Sequence, residues 1–354
     1  MNILLGEISS YKAIVLSKFI KKTYNDIYIY SYDYRNYTSK FHTSYSHKHV
    51  VIKKADINSY LLKISHFIEQ ENIDIFFPVH SDYISEILKK KYLFGNTLRY
   101  TGEYEEYYKL HEKESLQEIA RNRGIKVPKN FANFDSAVVP FIGKPKVGSS
   151  AEGVIYILNE KEKEKQYYSS FENYIFQEYV AGVGCGYSVY AINGEIKTGY
   201  GHIRIAEYPA SGGSSVYRAP FFKQKMRLIA KQILKEVPWT GFAMFEFKLT
   251  PDSDLVLIEV NPRIWGSINQ GLQNGANYFE YIIPESEIIV RAISKNIIRT
   301  YLSPQVYLSF LFYLLKGNVY PLLTFLKNFK YNKADISFFD DPKGWMSVIL
   351  RQVL

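Results

Sequence analysis

The order of apolar and polar positions divides the first hundred residues into short strands that alternate with amphipathic helices. Strands are predicted at 2–5, 26–30, 50–52 and 74–79, and helices from Tyr11, at 57–71 and at 82–92. This alternation predicts a parallel sheet with helices on its faces. The first strand is followed by Gly-Glu-Ile-Ser-Ser rather than by a glycine-rich fingerprint, so a dinucleotide site is not expected there.

The rest of the chain changes character after a helix predicted at 111–124. Strand patterns prevail from 127 to about 205, and Asn193-Gly194 predicts a tight hairpin. A helix at 221–236, two strands at 241–249 and 255–260, and a mostly helical stretch from Asn277 follow. We therefore expect an α/β and α+β chain. Its predicted segments are 1–110, 111–182, 183–290 and 291–354.

Composition narrows the class of protein only slightly. With 354 residues the chain exceeds a single ordinary core, and its formal net charge of +9 favours anionic ligands without choosing among them. The single cysteine, Cys185, excludes disulfides within the chain and cysteine-rich zinc sites. The longest apolar run, 306–315, is too short to span a bilayer, and a secretory signal is not expected before the first strand. A cytoplasmic location is expected.

Two facing strands carry the most informative polar residues. If they pair symmetrically about the turn 251–254, Glu246 lies opposite Glu259, and Asn261 lies on the same face. Two opposed carboxylates in apolar strands destabilise the pairing unless a cation lies between them. Hard oxygen donors suit Mg²⁺, which completes its shell with water and phosphate oxygens. The alternative is that one glutamate points to solvent or pairs with Lys248 or Arg263.

A glycine- and serine-rich loop lies upstream of these strands. Residues 143–154 read Gly-Lys-Pro-Lys-Val-Gly-Ser-Ser-Ala-Glu-Gly-Val. Gly148, Ser149 and Ser150 offer backbone N–H groups to phosphate oxygens, and Lys144 offers positive charge. The loop is not a Walker A motif, and such loops are often simple turns.

A candidate hinge follows the loop. The apolar strand in 174–182, Tyr-Ile-Phe-Gln-Glu-Tyr-Val-Ala-Gly, ends in Gln-Glu and a short linker. This arrangement is suited to presenting backbone groups to an adenine edge. The alternative is an edge strand that leads into a glycine turn. The glycines at 182, 184 and 186 precede a strand rather than a helix, so they do not form a dinucleotide loop.

Taken in this order, the motifs resemble the ATP-grasp superfamily, which includes biotin carboxylase, D-alanine ligase and the carbamoyl-phosphate synthase large chain. The resemblance covers about 112–271, roughly half of the chain, and its most specific part is Glu246 with Ile-Glu-Val-Asn-Pro-Arg at 258–263. It implies an ATP-grasp fold with a preceding parallel-sheet domain and a helical C-terminal extension. It also implies ATP and Mg²⁺ as cofactors, with Mn²⁺ as a substitute.

The resemblance further implies roles for individual residues. The stretch 202–218 is similar to a subgroup of uncharacterised carboxylate–amine ligases, in which an arginine and a Gly-Gly-Ser loop face the acceptor. The implied sets are Lys113, Lys144, Gly148, Ser149, Ser150, Gln177, Glu178, Tyr179 and Val180 for ATP; Glu246, Glu259 and Asn261 for the metal; Arg263 and Arg204 for catalysis; and His202, Arg204, Gly212, Gly213, Ser214 and Arg218 for the substrate.

The chain also departs from the superfamily. Many relatives place an acidic residue after the hinge to hold the ribose, whereas residues 182–187 read Gly-Val-Gly-Cys-Gly-Tyr. Ribose binding is then expected to fall to Glu178. Cys185 has no activating neighbour in the sequence and is expected to be a packing residue. His202 is expected either to face the substrate or to pack within its hairpin.

The implied function is an ATP-dependent carboxylate–amine ligase that joins a small-molecule carboxylate to an amine through an acyl-phosphate. One alternative is an ATP-grasp enzyme of carbamoyl or carboxyl transfer. Others are a nucleic-acid-binding protein, which the scattered basic residues disfavour, and a membrane-surface protein that uses 306–315 and 320–326. Packing of these two stretches on the main domain is the favoured explanation of their apolar side chains. No nucleic-acid partner and no transmembrane segment are expected. Peripheral membrane contact and a homodimer stay open.

Overall fold

Three β-sheets organise the described part of the protein, a computed structural model that covers residues 1–79, 83–146, 153–166, 171–210, 212–283 and 297–353. The phosphate-loop residues Gly148, Ser149 and Ser150 lie outside these ranges, as does the predicted boundary at 290. Each of the first two predicted segments contains one sheet, and the third sheet combines five strands of 183–290 with two strands of 291–354. The division into domains stays a prediction.

The N-terminal sheet is parallel throughout, with strand order β3-β2-β1-β4. Its core consists of aliphatic and aromatic side chains that the alternating pattern places between strands and helices, and the predicted α/β unit is confirmed. The elements are β1 Asn2–Gly6, α1 Tyr11–Thr23, β2 Tyr28–Asp33, β3 Lys48–Val51, α2 Ile57–Gln70, β4 Ile75–Phe77, α3 Ile84–Lys89 and α4 Tyr104–His111. The helix predicted at 82–92 is shorter, because a 3₁₀ segment begins at Lys91.

The second sheet is small and antiparallel, with order β5-β8-β6-β7. A cluster of phenylalanines packs beneath it, including Phe134, Phe141 and Phe176. Its elements, with the preceding helix, are α5 Lys113–Asn122, β5 Asn130–Phe131, β6 Phe141–Pro145, β7 Ile155–Ile157, α6 Glu160–Gln166 and β8 Tyr174–Glu178. Gly143 in β6 is required by packing, because a Cβ there would lie 2.7 Å from Ile155 Cγ1.

The third sheet has seven strands in the order β13-β12-β9-β10-β11-β14-β15. The predicted Asn193-Gly194 hairpin joins β9 to β10, and both turn residues have positive φ. The elements are β9 Val183–Ile192, β10 Glu195–Tyr208, β11 Ser214–Pro220, α7 Gln224–Glu236, β12 Gly241–Leu249, β13 Leu255–Asn261, α8 Ile268–Gln273, β14 Arg299–Tyr301, α9 Gln305–Leu315, α10 Tyr320–Lys327, β15 Asn332–Ala334 and α11 Pro342–Val353.

The C-terminal segment is helical, as expected, but it also completes the large sheet. β14 pairs with β11, and β15 pairs with β14. Each of these strands has only three residues, too few for an alternating pattern to be recognised in the sequence. The last helix, α11, returns to the N-terminal unit, where Asp340 pairs with Lys18 at 2.6 Å. No helix in the described ranges is long and apolar enough to cross a membrane.

Candidate functional site

A cavity of about 540 Å³ lies between the small sheet and the large one. Its walls come from β6 and β8 on one side and from β9, β10, β12 and β13 on the other, and the segment 212–214 borders it. Tyr156, which follows β7's first residue, places its hydroxyl 3.5 Å from the carbonyl oxygen of Gly212. The two sheets thus contact each other across this opening. A volume of this size is typical of small-molecule sites.

The predicted pairing of Glu246 with Glu259 is confirmed, although the symmetry behind it fails near the turn. Leu249 lies opposite Leu255, one residue away from the symmetric register, because the turn closes with Thr250 N–H donating to the Asp254 carbonyl at 3.0 Å. A bulge that leaves Ile258 without a cross-strand partner restores the register before Glu259. The bulge also lets both Ile258 and Glu259 line the cavity.

The two carboxylates are bridged by an amide and balanced by an arginine. Asn261 Nδ2 donates to Glu246 Oε1 at 3.1 Å and to Glu259 Oε1 at 2.9 Å. Arg204 pairs with Glu246 through its guanidinium. Burial raises the pKa of Glu246, and Glu259 adds to this rise, while Arg204 opposes it. Both carboxylates line the cavity, and the other part of the alternative, an ion pair with a basic residue, does occur at Glu246, although its partner is Arg204 rather than Lys248 or Arg263.

Two buried lysines face the same acidic pair. Lys113 begins α5, behind a Glu112 cap whose carboxylate accepts from the Ser115 N–H at 2.7 Å, and Lys144 lies in β6. Both lysines line the cavity and are less than a tenth exposed. Burial opposes the ionisation of Glu259, but the two ammonium groups outweigh it and lower its pKa. Burial lowers the pKa of Lys144 to about 8.

The donor set of this centre fits a hard divalent cation. Among the described residues, no group of three or more His, Cys, Asp or Glu side chains could hold a metal, so only two carboxylates and one amide are available here. A cation with so few protein ligands takes the rest of its shell from water and phosphate oxygens, as Mg²⁺ does. Rotation of the Asn261 amide would turn Oδ1 towards the carboxylates in place of Nδ2, at the loss of its contact with Arg263.

Arg263 supports Asn261 rather than lining the cavity. Its guanidinium donates to Asn261 Oδ1 at 2.8 Å and to the carbonyl of Ile264 at 3.2 Å. Its Nε is buried and has no hydrogen-bond partner among the described residues. The implied contact of Arg263 with a phosphoryl group is therefore not made by this side-chain position. Its place beside Asn261 is that of a residue that orients the acidic centre.

The predicted hinge forms one end of the cavity. Glu178, Tyr179 and Val180 line it, whereas Gln177 is buried and donates to Asn130 Oδ1 at 2.9 Å. The N–H groups of Glu178 and Tyr179 are already bound to the carbonyls of Lys129 and Pro140. Among these four residues, Val180 is left as the best-placed source of backbone contacts to a ligand.

Arg204 and Glu207 form another part of the cavity wall. Arg204 bridges Glu246 and Glu207 Oε1, the latter at 3.3 Å. The space for its side chain is provided by Gly184 on the neighbouring strand, where a Cβ would lie 2.8 Å from Arg204 Cδ. Gly212, Gly213 and Ser214 border the cavity as well, and their contact with a substrate stays a prediction.

Two predicted substrate residues lie outside the cavity. His202 is buried against Gly186, with Nε2 3.3 Å from Ser267 Oγ, and burial lowers its pKa to about 3. Of the two roles expected for His202, packing is the one its position supports. Arg218 has no exposed side-chain surface and forms an ion pair with Asp335. Its prediction as a substrate contact is corrected, because a fully buried, paired guanidinium cannot reach a ligand here.

Sequence reasoning missed several cavity residues. Lys248 could have been found, because it lies two residues from Glu246 on the same strand face. Glu207 and Lys316 gave no such signal. Glu207 reaches the cavity through an irregular stretch of β10, and Lys316 follows a helix more than fifty residues from the other lining residues. Cys185 is buried, which raises its pKa to about 12, and it packs in the core as expected.

A cavity between a small antiparallel sheet and a large one, with buried lysines on one wall and an acidic strand pair on the other, is the architecture of the ATP-grasp fold. Residues 109–267 match the family model described as the ATP-grasp domain. This stretch of the chain is therefore an ATP-grasp domain, and the fold predicted from the sequence is confirmed. Comparison with curated proteins gave no significant match.

Solved structures agree on the fold. The biotin carboxylase of Campylobacter jejuni is 16% identical with a TM-score of 0.64, over 81% of this chain and 73% of that one. The biotin carboxylase domain of the Hydrogenobacter thermophilus 2-oxoglutarate carboxylase is 12% identical with a TM-score of 0.61, over 78% and 67%. The L-amino acid ligase of Bacillus licheniformis is 13% identical with a TM-score of 0.56, over 77% and 68%. At these identities the likeness concerns the fold.

Proposed function

We propose that the protein is an ATP-dependent, ADP-forming ligase that activates a small carboxylate as an acyl-phosphate and joins it to an amine. The observation that carries this proposal is the acidic pair of Glu246 and Glu259 in one cavity with Lys113 and Lys144. Opposed carboxylates beside buried ammonium groups suit a triphosphate accompanied by a divalent cation. Two of the similar structures are described as complexes with ADP and magnesium or with an ATP form, which supports the choice of nucleotide.

The nucleotide would lie along the cavity, with its base at the hinge and its phosphates near the lysines. The apolar side chains of Ile142, Val154 and Ile258 line the cavity and suit the two faces of a base. Val180 would offer backbone contacts to the base edge, and Glu178 would reach the ribose. That the loop with Gly148, Ser149 and Ser150 covers the phosphates stays a prediction from the sequence, because these residues lie outside the described ranges.

The chemistry requires position and positive charge more than a reactive side chain. A carboxylate oxygen attacks the γ-phosphorus, the bond from that phosphorus to the bridging oxygen breaks, and ADP leaves. The amine nitrogen then attacks the acyl carbon, the bond to the phosphate oxygen breaks, and inorganic phosphate and a proton leave. Lys113 and Lys144 would hold the phosphate charge, and Arg204 would orient the carboxylate. Mg²⁺ held by Glu246, Glu259 and Asn261 would neutralise phosphate oxygens.

A carboxyl-transfer enzyme is the second candidate, because biotin carboxylases are prominent among the similar structures and one of these is described with bicarbonate. Both candidates share the activation of a carboxylate-type oxygen by ATP. They differ in the acceptor. The stretch 202–218, whose Arg204 and Gly212–Ser214 border the cavity, resembles carboxylate–amine ligases and favours an amine.

An ADP-release screen tests the proposal. Pooled carboxylates are combined with pooled amines, and separately bicarbonate is supplied without an amine, with mass spectrometry of any product. We expect ADP release that requires both a carboxylate and an amine. Release with bicarbonate alone would favour carboxyl transfer, and the lack of release in every pool would contradict the ligase proposal.

Two variants test the site itself. Glu259→Gln and Lys144→Ala are expected to lower ATP turnover at least about a hundredfold while the fold is retained. Glu236→Gln and Lys231→Ala are matched controls on the exposed face of α7 and are expected to retain full turnover. Full activity in Glu259→Gln would show that the site is assigned to the wrong residues. Consumption of ATP is consistent with the cytoplasmic location expected from the sequence.

A further inference from the structure

The two helices α9 and α10 expose a concentration of apolar side chains. Twelve of the 27 large apolar or aromatic residues that are exposed in the described part of the chain lie between 307 and 331. They are Tyr307, Leu308, Leu311, Phe312, Leu314, Leu315, Val319, Tyr320, Leu323, Leu326, Phe329 and Tyr331, and we call them the C-terminal patch. Single exposed apolar residues are ordinary, but a cluster of this density marks an interaction surface.

One apolar face of α9 and α10 packs against the large sheet, and the C-terminal patch is a second apolar face of the same helices. Val306, Phe310 and Phe325 pack with Tyr217 of β11 in a core of their own. The opposite side of α9 carries Leu311, which is 54% exposed, and Leu315, which is 75% exposed. A helix that is apolar all round normally has partners on both sides. One partner of α9 is the sheet, and the described residues provide none for the other side.

The charges around the patch indicate the chemistry of that missing partner. Residues 297–334 contain five basic residues and no aspartate or glutamate. Lys316, Lys327, Lys330 and Lys333 are exposed there. The next acidic residue in the sequence, Asp335, is buried in its ion pair with Arg218. Asp340 interacts electrostatically with Lys333, so Lys316, Lys327 and Lys330 supply the basic border of the patch. Aromatic and leucine side chains bordered by lysines match the two layers of a membrane surface, with apolar acyl chains beneath anionic headgroups.

We propose that the C-terminal patch binds the surface of a membrane that contains anionic phospholipids. The leucines and aromatic rings insert below the headgroups, and the lysine ammonium groups stay at headgroup level. A second copy of the chain is a less suitable occupant, because apposed patches would bring the same uncompensated lysines together. This proposal does not depend on the ligase reaction.

The patch adjoins the cavity. Lys316, at the end of α9, lines the cavity, and Ser309 Oγ donates to the carbonyl of Glu207 at 2.7 Å. Glu207 belongs to the same part of the cavity wall as Arg204. Binding through the patch would therefore hold that part of the cavity close to the membrane surface.

Flotation of the full chain with liposomes tests the proposal. Vesicles of phosphatidylcholine alone are compared with vesicles that also contain phosphatidylglycerol, at low and high salt. We expect binding to the anionic vesicles that weakens with salt. Leu311→Glu combined with Leu315→Glu should lower the partition coefficient by about tenfold or more, because two charges enter the apolar layer. Leu228→Glu, at a site 52% exposed on α7, is the matched control and should bind normally.

A second pair of variants separates charge from apolar contact. Lys327→Glu with Lys330→Glu should abolish the preference for anionic vesicles, whereas Lys231→Glu with Lys235→Glu on α7 should not. Circular dichroism verifies that each variant is folded. Failure of the wild-type chain to bind anionic vesicles would overturn the proposal. So would equal binding by the patch and control variants, or a dimer in light scattering that Leu311→Glu dissociates, which would assign the patch to a second copy.

Discussion

Replacement of Asp335 by alanine should destabilise the fold strongly without touching the cavity. The Asp335 carboxylate accepts from Arg218, whose side chain is fully buried, and from Asn269 Nδ2 at 3.0 Å. The alanine leaves the guanidinium with only its neutral partners, Thr300 Oγ1 at 2.8 Å and the carbonyl of Ser215 at 2.9 Å. A positive charge would then remain inside the sheet without a counter-ion.

The size of the effect follows from this burial. Removing one partner of a buried ion pair costs about 3–5 kcal/mol, whereas an exposed pair contributes about 1 kcal/mol or less. The exposed pair of Lys18 with Asp340 offers the matched control. At about 2–4 °C per kcal/mol, Asp335→Ala should lower the melting temperature on the order of 10 °C, and Asp340→Ala by only a few degrees. Arg218→Met with Asp335→Leu should recover much of the loss, because it removes both charges.

Thermal unfolding followed by circular dichroism measures these differences, and urea unfolding gives the free energies. ADP release at a temperature below both transitions is the second readout, and its KM values should stay at the wild-type level. If Asp335→Ala melted within a degree or two of Asp340→Ala, the buried pair would not hold the C-terminal strands. If it instead raised a substrate KM at unchanged stability, Arg218 would act on the substrate after all.

Three further predictions concern the site and its surroundings. Burial lowers the pKa of Lys144 to about 8, so kcat/KM for ATP should fall above about pH 8 as Lys144 loses its charge. Lys144→Arg keeps the charge and should remove that fall. The same pH profile in Lys144→Arg and the wild type would contradict this prediction. Burial lowers the pKa of His202 to about 3 in the folded protein, whereas a histidine in the unfolded chain has a pKa of about 6.5. Between these two values the unfolded state binds more protons, so the contribution of His202 to stability falls by about 1.4 kcal/mol per pH unit as the pH drops. The melting temperature of His202→Gln should fall less steeply with acid than that of the wild type. Gly184→Ala should displace Arg204 and lower ATP turnover by roughly ten- to a hundredfold, with little change in melting temperature; wild-type turnover would show that Arg204 has no role.

The sequence could predict the parts of the site where an unusual residue type stands at a position that the strand alternation assigns to one face. Glu246 and Glu259 are unusual in apolar strands, and a turn between them fixes their approximate register, so their opposition was recognisable. Lys113 and Lys144 came from the resemblance, and both lie in the cavity. Pattern and turn chemistry also identify the parallel N-terminal sheet and the Asn193-Gly194 hairpin, because these depend on local residues.

The remainder depends on contacts between distant parts of the chain. The burial of Arg218 results from Asp335, more than a hundred residues later, and the two three-residue strands near the C-terminus exist only because the large sheet offers an edge. An arginine in a motif that resembles a substrate loop carries no sign that another segment will cover it. Long-range pairing of this kind leaves no periodic trace in the sequence.

The unpaired Ile258 has a consequence for how β13 tolerates change in length. Up to Leu257 the strand directs its odd-numbered side chains into the core, and after the extra residue the odd-numbered Glu259 and Asn261 lie on the opposite face, where Asn261 donates to both carboxylates. Deleting Ile258 would join Leu257, which is in the core, directly to Glu259 on the cavity face. The alternation would then become regular, and Glu259 would stay opposite Glu246. An extra residue between Glu259 and Asn261 would instead place these two side chains on opposite faces of the sheet, so the number of residues in this strand matters as much as their identity.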